Sequence, residues 1–171
     1  MVPRGQQADE NFMREALAEA RRAAEAGEVP VGAVVVREGR IVGRGFNRRE
    51  GGSDATAHAE IAALREAGQH LGGWRLEDCT LYVTLEPCPM CAGAILMARV
   101  PRVVYAAQDA KFGAAGSTID LLRWNPWHQE VAVTGGVLAE ESQELLRNFF
   151  KVRRHDPQAP EGAEELPGRM Q

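Results

Sequence analysis

His58 and Glu60 stand two residues apart, and Cys88 and Cys91 three apart, in the stretches His58-Ala59-Glu60 and Pro87-Cys88-Pro89-Met90-Cys91. One imidazole and two thiols suffice as the protein ligands of a catalytic zinc ion, because a structural zinc is closed by a fourth protein ligand and a catalytic one keeps a place for water. Glu60 is then spare as a ligand, and suited to carry a proton between that water and a substrate. Singly, each motif is weak: Cys-x-x-Cys also serves as a redox pair, a structural half-site or two core thiols, and His-x-Glu recurs by chance in helices. In this order, each opening a helix, they point to one catalytic zinc site.

Residues two apart on a regular helix face different ways, so His58 and Glu60 must straddle a helix start. The sequence predicts Thr56 as N-cap and a helix over 57–67 that ends near Gly68. Pro89 suits a first helical position, and a second helix runs over 89–99 until Pro101 stops it. Helix N-termini offer unpaired N–H groups and partial positive charge, which favour the thiolate forms of Cys88 and Cys91. Two thiolates and a neutral imidazole balance a divalent cation.

The elements that must position these residues follow from periodicity. Phe12, Ala16, Ala20 and Ala23, flanked by Met13, Leu17 and Ala24, make the apolar stripe of a first helix ending at Gly27. Residues 31–36 and 40–46 read as a hairpin about Glu38-Gly39. The order then alternates through helix 57–67, strand 79–85, helix 89–99 and strand 102–107, with a last strand over 131–134 and a helix over 138–154. Such alternation implies parallel pairing with crossover helices. The expected fold class is α/β, a three-layer α/β/α sandwich with a five-stranded mixed sheet, its site at the carboxyl ends of the strands. Leu145, Phe149 and Val152 are expected on the inner face of the last helix. Cys79 opens a strand that carries it away from the ligand turn and is read as a buried thiol. His70, His128 and His155 have no partner at ligand spacing.

The 171 residues are enough for one domain that buries about two-thirds of its unfolded surface. A hydrophobic content of 44% with 26% charged residues is ordinary for a globular chain and excludes a membrane span. No export signal precedes Asn11 and three cysteines make no disulfide framework, so a soluble protein of the reducing cytoplasm is expected. Three segments are read: a flexible start over 1–9, one domain over 10–154, and a disordered acidic tail over 155–171 with Glu161, Glu164 and Glu165. The net charge of −4 argues against a nonspecific polynucleotide binder. Arg147, Lys151, Arg153 and Arg154 nevertheless form a local basic run. It has two readings: a contact for a few phosphates, or a complement to the helix dipole, matched by Glu140, Glu141 and Glu144 at the other end.

His-Ala-Glu followed by Pro-Cys-x-x-Cys resembles the zinc-dependent nucleobase and nucleoside deaminases, of which it is a known signature. The stretches Glu28-Val29-Pro30-Val31-Gly32-Ala33, Thr56-Ala57-His58-Ala59-Glu60-Ile61, Thr84-Leu85-Glu86-Pro87-Cys88 and Asp109-Ala110-Lys111-Phe112-Gly113-Ala114-Ala115-Gly116-Ser117 are similar to the branch that acts on adenosine in bacterial transfer RNA. The likeness spans roughly residues 10 to 154. It implies a cytidine deaminase-like fold and one Zn2+ per subunit on His58, Cys88 and Cys91. It also implies Glu60 as proton shuttle, a homodimer, and conversion of adenosine to inosine at the wobble position of a tRNA anticodon stem-loop. Asn47 is implied as a hydrogen bonder to the base edge, though an asparagine after a strand is equally a turn residue. Asp109 and Lys111 are implied on a substrate-side loop, and Phe149 and Phe150 near the anticodon loop, although helical spacing alone puts Phe149 in the core. Gln108 and Phe112 depart from the pattern of that loop, and Phe112 bears on how neighbouring nucleotides are held. A deaminase of free guanine or of a mononucleotide, which shares Glu-Pro-Cys-Pro-Met-Cys, and a noncatalytic zinc-stabilised RNA-binding module remain as other readings.

Overall fold

The computed structural model describes residues 4–124, 126 and 128–155. In chain order the elements are α1 (Arg4–Glu25), β1 (Gly32–Arg37), β2 (Arg40–Phe46), the single turn α2 (Arg49–Gly52), α3 (Ala59–Leu71), β3 (Cys79–Leu85), α4 (Pro89–Met97), β4 (Arg102–Ala107), a 3-10 turn at Leu121–Arg123, β5 (Ala132–Thr134) and α5 (Ala139–Arg154). The five strands form one sheet in the order β2-β1-β3-β4-β5. β1 is antiparallel to both β2 and β3, whereas β3, β4 and β5 run parallel. The mixed sheet and α/β/α layering are those expected.

Alternate residues of each central strand feed two separate cores, as the pleat requires. Val34, Val36, Tyr82, Val104 and Ala106 pack under Met13, Ala16 and Leu17 of α1, with Val137 and Leu138, just before α5, beside them. Ala33, Val35, Leu81, Val83, Val103 and Tyr105 pack on the other side against Ala59, Ala63 and Ala67 of α3 and Ala92, Ile95 and Leu96 of α4. Both faces of the sheet are covered, which is why β3 and β4 read as continuous apolar runs.

The seating of α3 depends on two glycines of β2. A Cβ at Gly43 or Gly45 would run into the α3 backbone at Ala63 and Ala67 or at Ala59 and Ala63. Their absence of a side chain lets the helix approach the strand closely and fixes where its first turn lies.

Four boundary or face assignments are corrected. The start is not loose through residue 9, because α1 already runs from Arg4. Asp9 is buried there and accepts hydrogen bonds from the Tyr82 hydroxyl at 2.9 Å and from Arg102 at 2.9 and 2.7 Å. These bonds reach β3 and β4, so they anchor the polar first turns of α1 against the sheet. Thr56 is not the cap of α3: its N–H and hydroxyl both go to Asp54 Oδ1, at 2.8 and 2.7 Å, and His58 is the N-cap. α3 passes through Gly68 to Leu71 and stops at Gly72, which takes the left-handed conformation. On α5 the fully buried residues are Ser142 and Leu146; the Ser142 hydroxyl donates to the Thr84 carbonyl of β3. That contact sets the roll of the helix, so Leu145 and Phe149 are only half-buried and Val152 is 71% exposed.

Cys79 begins β3 and is buried, as read from the sequence, and burial pushes its thiol up to about 11. Among the described residues no helix is long and apolar enough to cross a membrane. The expected disordered tail, apart from His155, lies outside the described residues, as do residues 1–3 of the expected flexible start.

Candidate active site

The strand pairing brings one set of chain segments to a single edge of the sheet. Leu85 of β3 pairs with Ala107 of β4, and Gly32 of β1 pairs with Phe46 of β2. Because β1 is antiparallel to β3, the ends of β2, β3 and β4 and the start of β1 meet at that edge. α3 and α4 begin at the same edge, with His58 and Cys88 as their N-caps, both in extended conformation and neither making a side-chain cap bond. The partly positive starts of two helices therefore face one place.

Three of the sequence-predicted residues converge there. His58 Nδ1 lies 3.5 Å from Cys88 Sγ and 3.5 Å from Cys91 Sγ. The three ligand atoms all lie within 4.8 Å of one another, and among the described residues they are the one group of this kind able to hold a metal ion. His70, His128 and His155 are exposed and take no part. Glu60, in the first turn of α3, is 3% exposed, and burial pushes its carboxyl up to about 7.

The electrostatics of this triangle test whether a cation fits it. The Cys88 thiol is pulled down to about 4, first by its hydrogen bond with Cys91 and then by His58. That thiolate in turn raises Cys91 far above the ordinary thiol range, with burial adding to it, and raises His58. One thiolate thus suppresses the other, the behaviour of two anionic sites forced together without a counter-charge. A divalent cation among them would allow both to ionise at once. Two sulfurs and one ring nitrogen match the preference of zinc, and three ligands leave its fourth position open.

The remaining sequence candidates are each held by partners of their own. Asn47 is 7% exposed; its Nδ2 donates to Val29 O at 3.3 Å and its Oδ1 accepts from the Arg49 N–H at 3.4 Å. Asn47 thus joins the β1 approach to α2, as a turn residue does. Both bonds are long for amide pairs, and the amide retains further donor and acceptor capacity. Asp109 is buried, and its Oδ1 accepts the N–H groups of Lys111 at 2.9 Å and Phe112 at 3.0 Å. Its carboxylate therefore shapes the 109–117 loop from within. Lys111 is exposed, its ammonium 5.2 Å from the Phe112 ring centroid. Phe149 and Phe150 pack edge to face with centroids 5.4 Å apart, both half-buried. Arg153 stacks 5.0 Å from the Phe149 centroid and also donates to Gly27 O.

Two further carboxylates matter, to which the motifs assign no role. Glu86, between β3 and the ligand turn, is 2% exposed. It accepts the N–H of Asp109 at 3.1 Å, those of Ala115 and Ser117 at 3.0 Å each, and the Ser117 hydroxyl. Four donors fill the acceptor capacity of one carboxylate. A Cβ on Gly113 would lie 2.5 Å from the Glu86 carboxyl carbon, so only glycine admits this approach. Glu28, also buried, accepts the N–H groups of Glu50 and Gly51 at the start of α2. Each carboxylate thus ties a loop beside the site to the sheet edge. The sequence signal was an acidic residue just after β3 for Glu86 and between α1 and β1 for Glu28, but their partners lie more than twenty positions away. Glu86→Gln turns an acceptor into a donor that must face at least one N–H group, and should lower stability by about 1–3 kcal/mol. Denaturant unfolding of the zinc-loaded protein measures this, and wild-type stability would show that the four bonds are not made in solution.

A layered sheet with an imidazole, two thiols and a spare carboxylate at its edge is the plan of a hydrolytic deaminase. A family model described as MafB19-like deaminase matches residues 7–154, and the chain belongs to that family. Within it the likeness is narrower. The tRNA-specific adenosine deaminase of Bacillus subtilis (strain 168) is 48% identical over 151 residues, which cover 88% of this chain and 94% of that protein. A solved tRNA:A34 deaminase, from work on A-to-I editing at the wobble position of transfer RNA, is 48% identical with a TM-score of 0.76 and covers 80% of this chain and 99% of its own. The guanine deaminase of Nitrosomonas europaea shares the fold at 27% identity and a TM-score of 0.72, covering 87% of this chain and 93% of its own.

Proposed function

We propose that this protein converts adenosine to inosine at the wobble position of a transfer RNA anticodon, releasing ammonia. The observation that carries this reading is the 48% identity to a tRNA-specific adenosine deaminase over nearly that protein's whole length, in a chain whose His58, Cys88 and Cys91 meet in one metal-sized group. These three residues would hold one zinc ion per subunit. Bound there, zinc would supply a water whose pKa is brought to about 7.

The chain's own residues do the rest. Glu60 takes the proton of the attacking water on its carboxylate and delivers it to N1 of the purine as the oxygen adds to C6. A second proton passes by the same carboxylate to the amino group, which leaves as ammonia, and the carbonyl of inosine forms. Burial suits Glu60 to this traffic, because a carboxyl near neutrality accepts and returns a proton with little free-energy difference. Asn47 bonds the base edge with its remaining amide capacity, and Lys111, Phe149 and Phe150 line the approach of the RNA, with Asp109 holding the loop that carries Lys111. An unpaired loop base reaches such a pocket at a cost of a few kcal/mol or less. As the resemblance to bacterial tRNA-modifying enzymes implies, the protein acts as a homodimer in the cytoplasm.

A deaminase of free guanine is the second reading, favoured by the Nitrosomonas europaea neighbour. Incubation with whole transfer RNA, an anticodon stem-loop, free adenosine and free guanine separates the two. Inosine is expected at the wobble position of the RNA substrates alone. Deamination of free guanine with no inosine in either RNA would overturn the proposal.

A further inference from the structure

The 109–117 loop combines a fixed backbone with an exposed ring. Phe112 is 54% exposed, yet its N–H is bonded to the buried Asp109 carboxylate. The loop is also tied at Asp109, Ala115 and Ser117 to the buried Glu86. Ala114 donates to the Pro87 carbonyl at 2.8 Å, joining the loop directly to the turn that carries Cys88. An exposed aromatic side chain on a loose surface loop would be unremarkable. On a braced backbone joined to the ligand turn, it presents a flat apolar face from a point of the chain that is fixed before any ligand arrives. The Lys111 ammonium, 5.2 Å from the ring centroid, adds positive charge at the same spot. An aromatic face with an adjacent cation is the combination that holds single-stranded nucleic acid, the ring stacking on a base and the cation meeting the backbone.

We propose that Phe112 is a stacking platform for an unpaired base next to the reacting nucleoside, with Lys111 directed to the adjoining phosphate. This rests on the reading of the substrate as an anticodon loop. The Phe112 side chain touches no reacting atom, so its contribution falls on binding and choice of RNA context. Because the backbone under it is already ordered, stacking loses little to loop ordering.

Inosine formation is measured for the zinc-loaded wild type, Phe112→Ala and Phe112→Trp on an anticodon stem-loop. The same three proteins are then tested on stem-loops carrying an abasic nucleotide at each position flanking the reactive adenosine. Phe112→Ala should raise KM roughly five- to 150-fold, the range for loss of one base–aromatic stack, with kcat within about twofold. Phe112→Trp should restore KM. One abasic RNA should weaken the wild type to the same degree while leaving Phe112→Ala no worse, since the two changes remove one interaction. Wild-type KM in Phe112→Ala, or losses that add for every abasic position, would overturn the platform while the wild type still makes inosine. A wild type that makes no inosine on the intact stem-loop would instead overturn the substrate reading, and the platform with it.

Discussion

Replacing Glu60 by glutamine should lower inosine formation by about a hundredfold to ten-thousandfold, the usual worth of a positioned general acid–base, while leaving metal content unchanged. The separation follows from the geometry. The ligand atoms come from His58, Cys88 and Cys91, so Glu60 can be altered without removing a donor. Glutamine keeps the volume in a position that is 3% exposed and loses only the ability to take a proton. Single-turnover assays with saturating transfer RNA, read beside the zinc content of the same preparation, give both quantities. Turnover that survives the change would remove Glu60 as the proton carrier and leave the centre without an assigned base.

The second large effect concerns the ligands. Cys91→Ala should abolish activity and bring metal content close to zero, because two protein ligands remain where three are needed. Stability should fall too, since the ion would tie the start of α3 at His58 to the first turn of α4 at Cys91. A ligand present at about a thousandfold above its dissociation constant contributes about 4 kcal/mol. For a chain of this size, each kcal/mol moves the melting temperature by roughly 2–4 °C. Chelation of the wild type should thus lower its melting temperature by roughly 10 °C, and chelation of Cys91→Ala should change little. Equal melting temperatures with and without chelator, accompanied by full activity, would be incompatible with a metal at this position.

The candidate site was legible in the sequence because its residues are local to two short motifs. His58 and Glu60 could share a centre only across a helix start, and the Pro89 signal made the same demand of the Cys88 segment; both helices begin there. The sheet was legible because apolar runs alternate with helical periodicity at short spacing. What the sequence hid were long-range polar contacts. Asp9 reads as an ordinary surface acid until its bonds to Tyr82 and Arg102 are seen, and those bonds bring the first turns of α1 into the fold. Thr56 has the right chemistry for a cap, but Asp54 claims both its hydrogen-bonding groups. Phe149 and Val152 have helical spacing, but Ser142 sets the roll of α5 by bonding a strand carbonyl. Glu28 and Glu86 carry no periodicity at all, since their partners are N–H groups whose placement depends on the finished fold.

X-ray absorption at the zinc edge of the purified protein, combined with metal stoichiometry, tests the centre most directly. One zinc per chain is predicted, bound by two sulfurs at about 2.3 Å, one nitrogen at about 2.0 Å and one further light atom from solvent. A shell of four protein donors, or a fully active protein that holds no zinc, would contradict it.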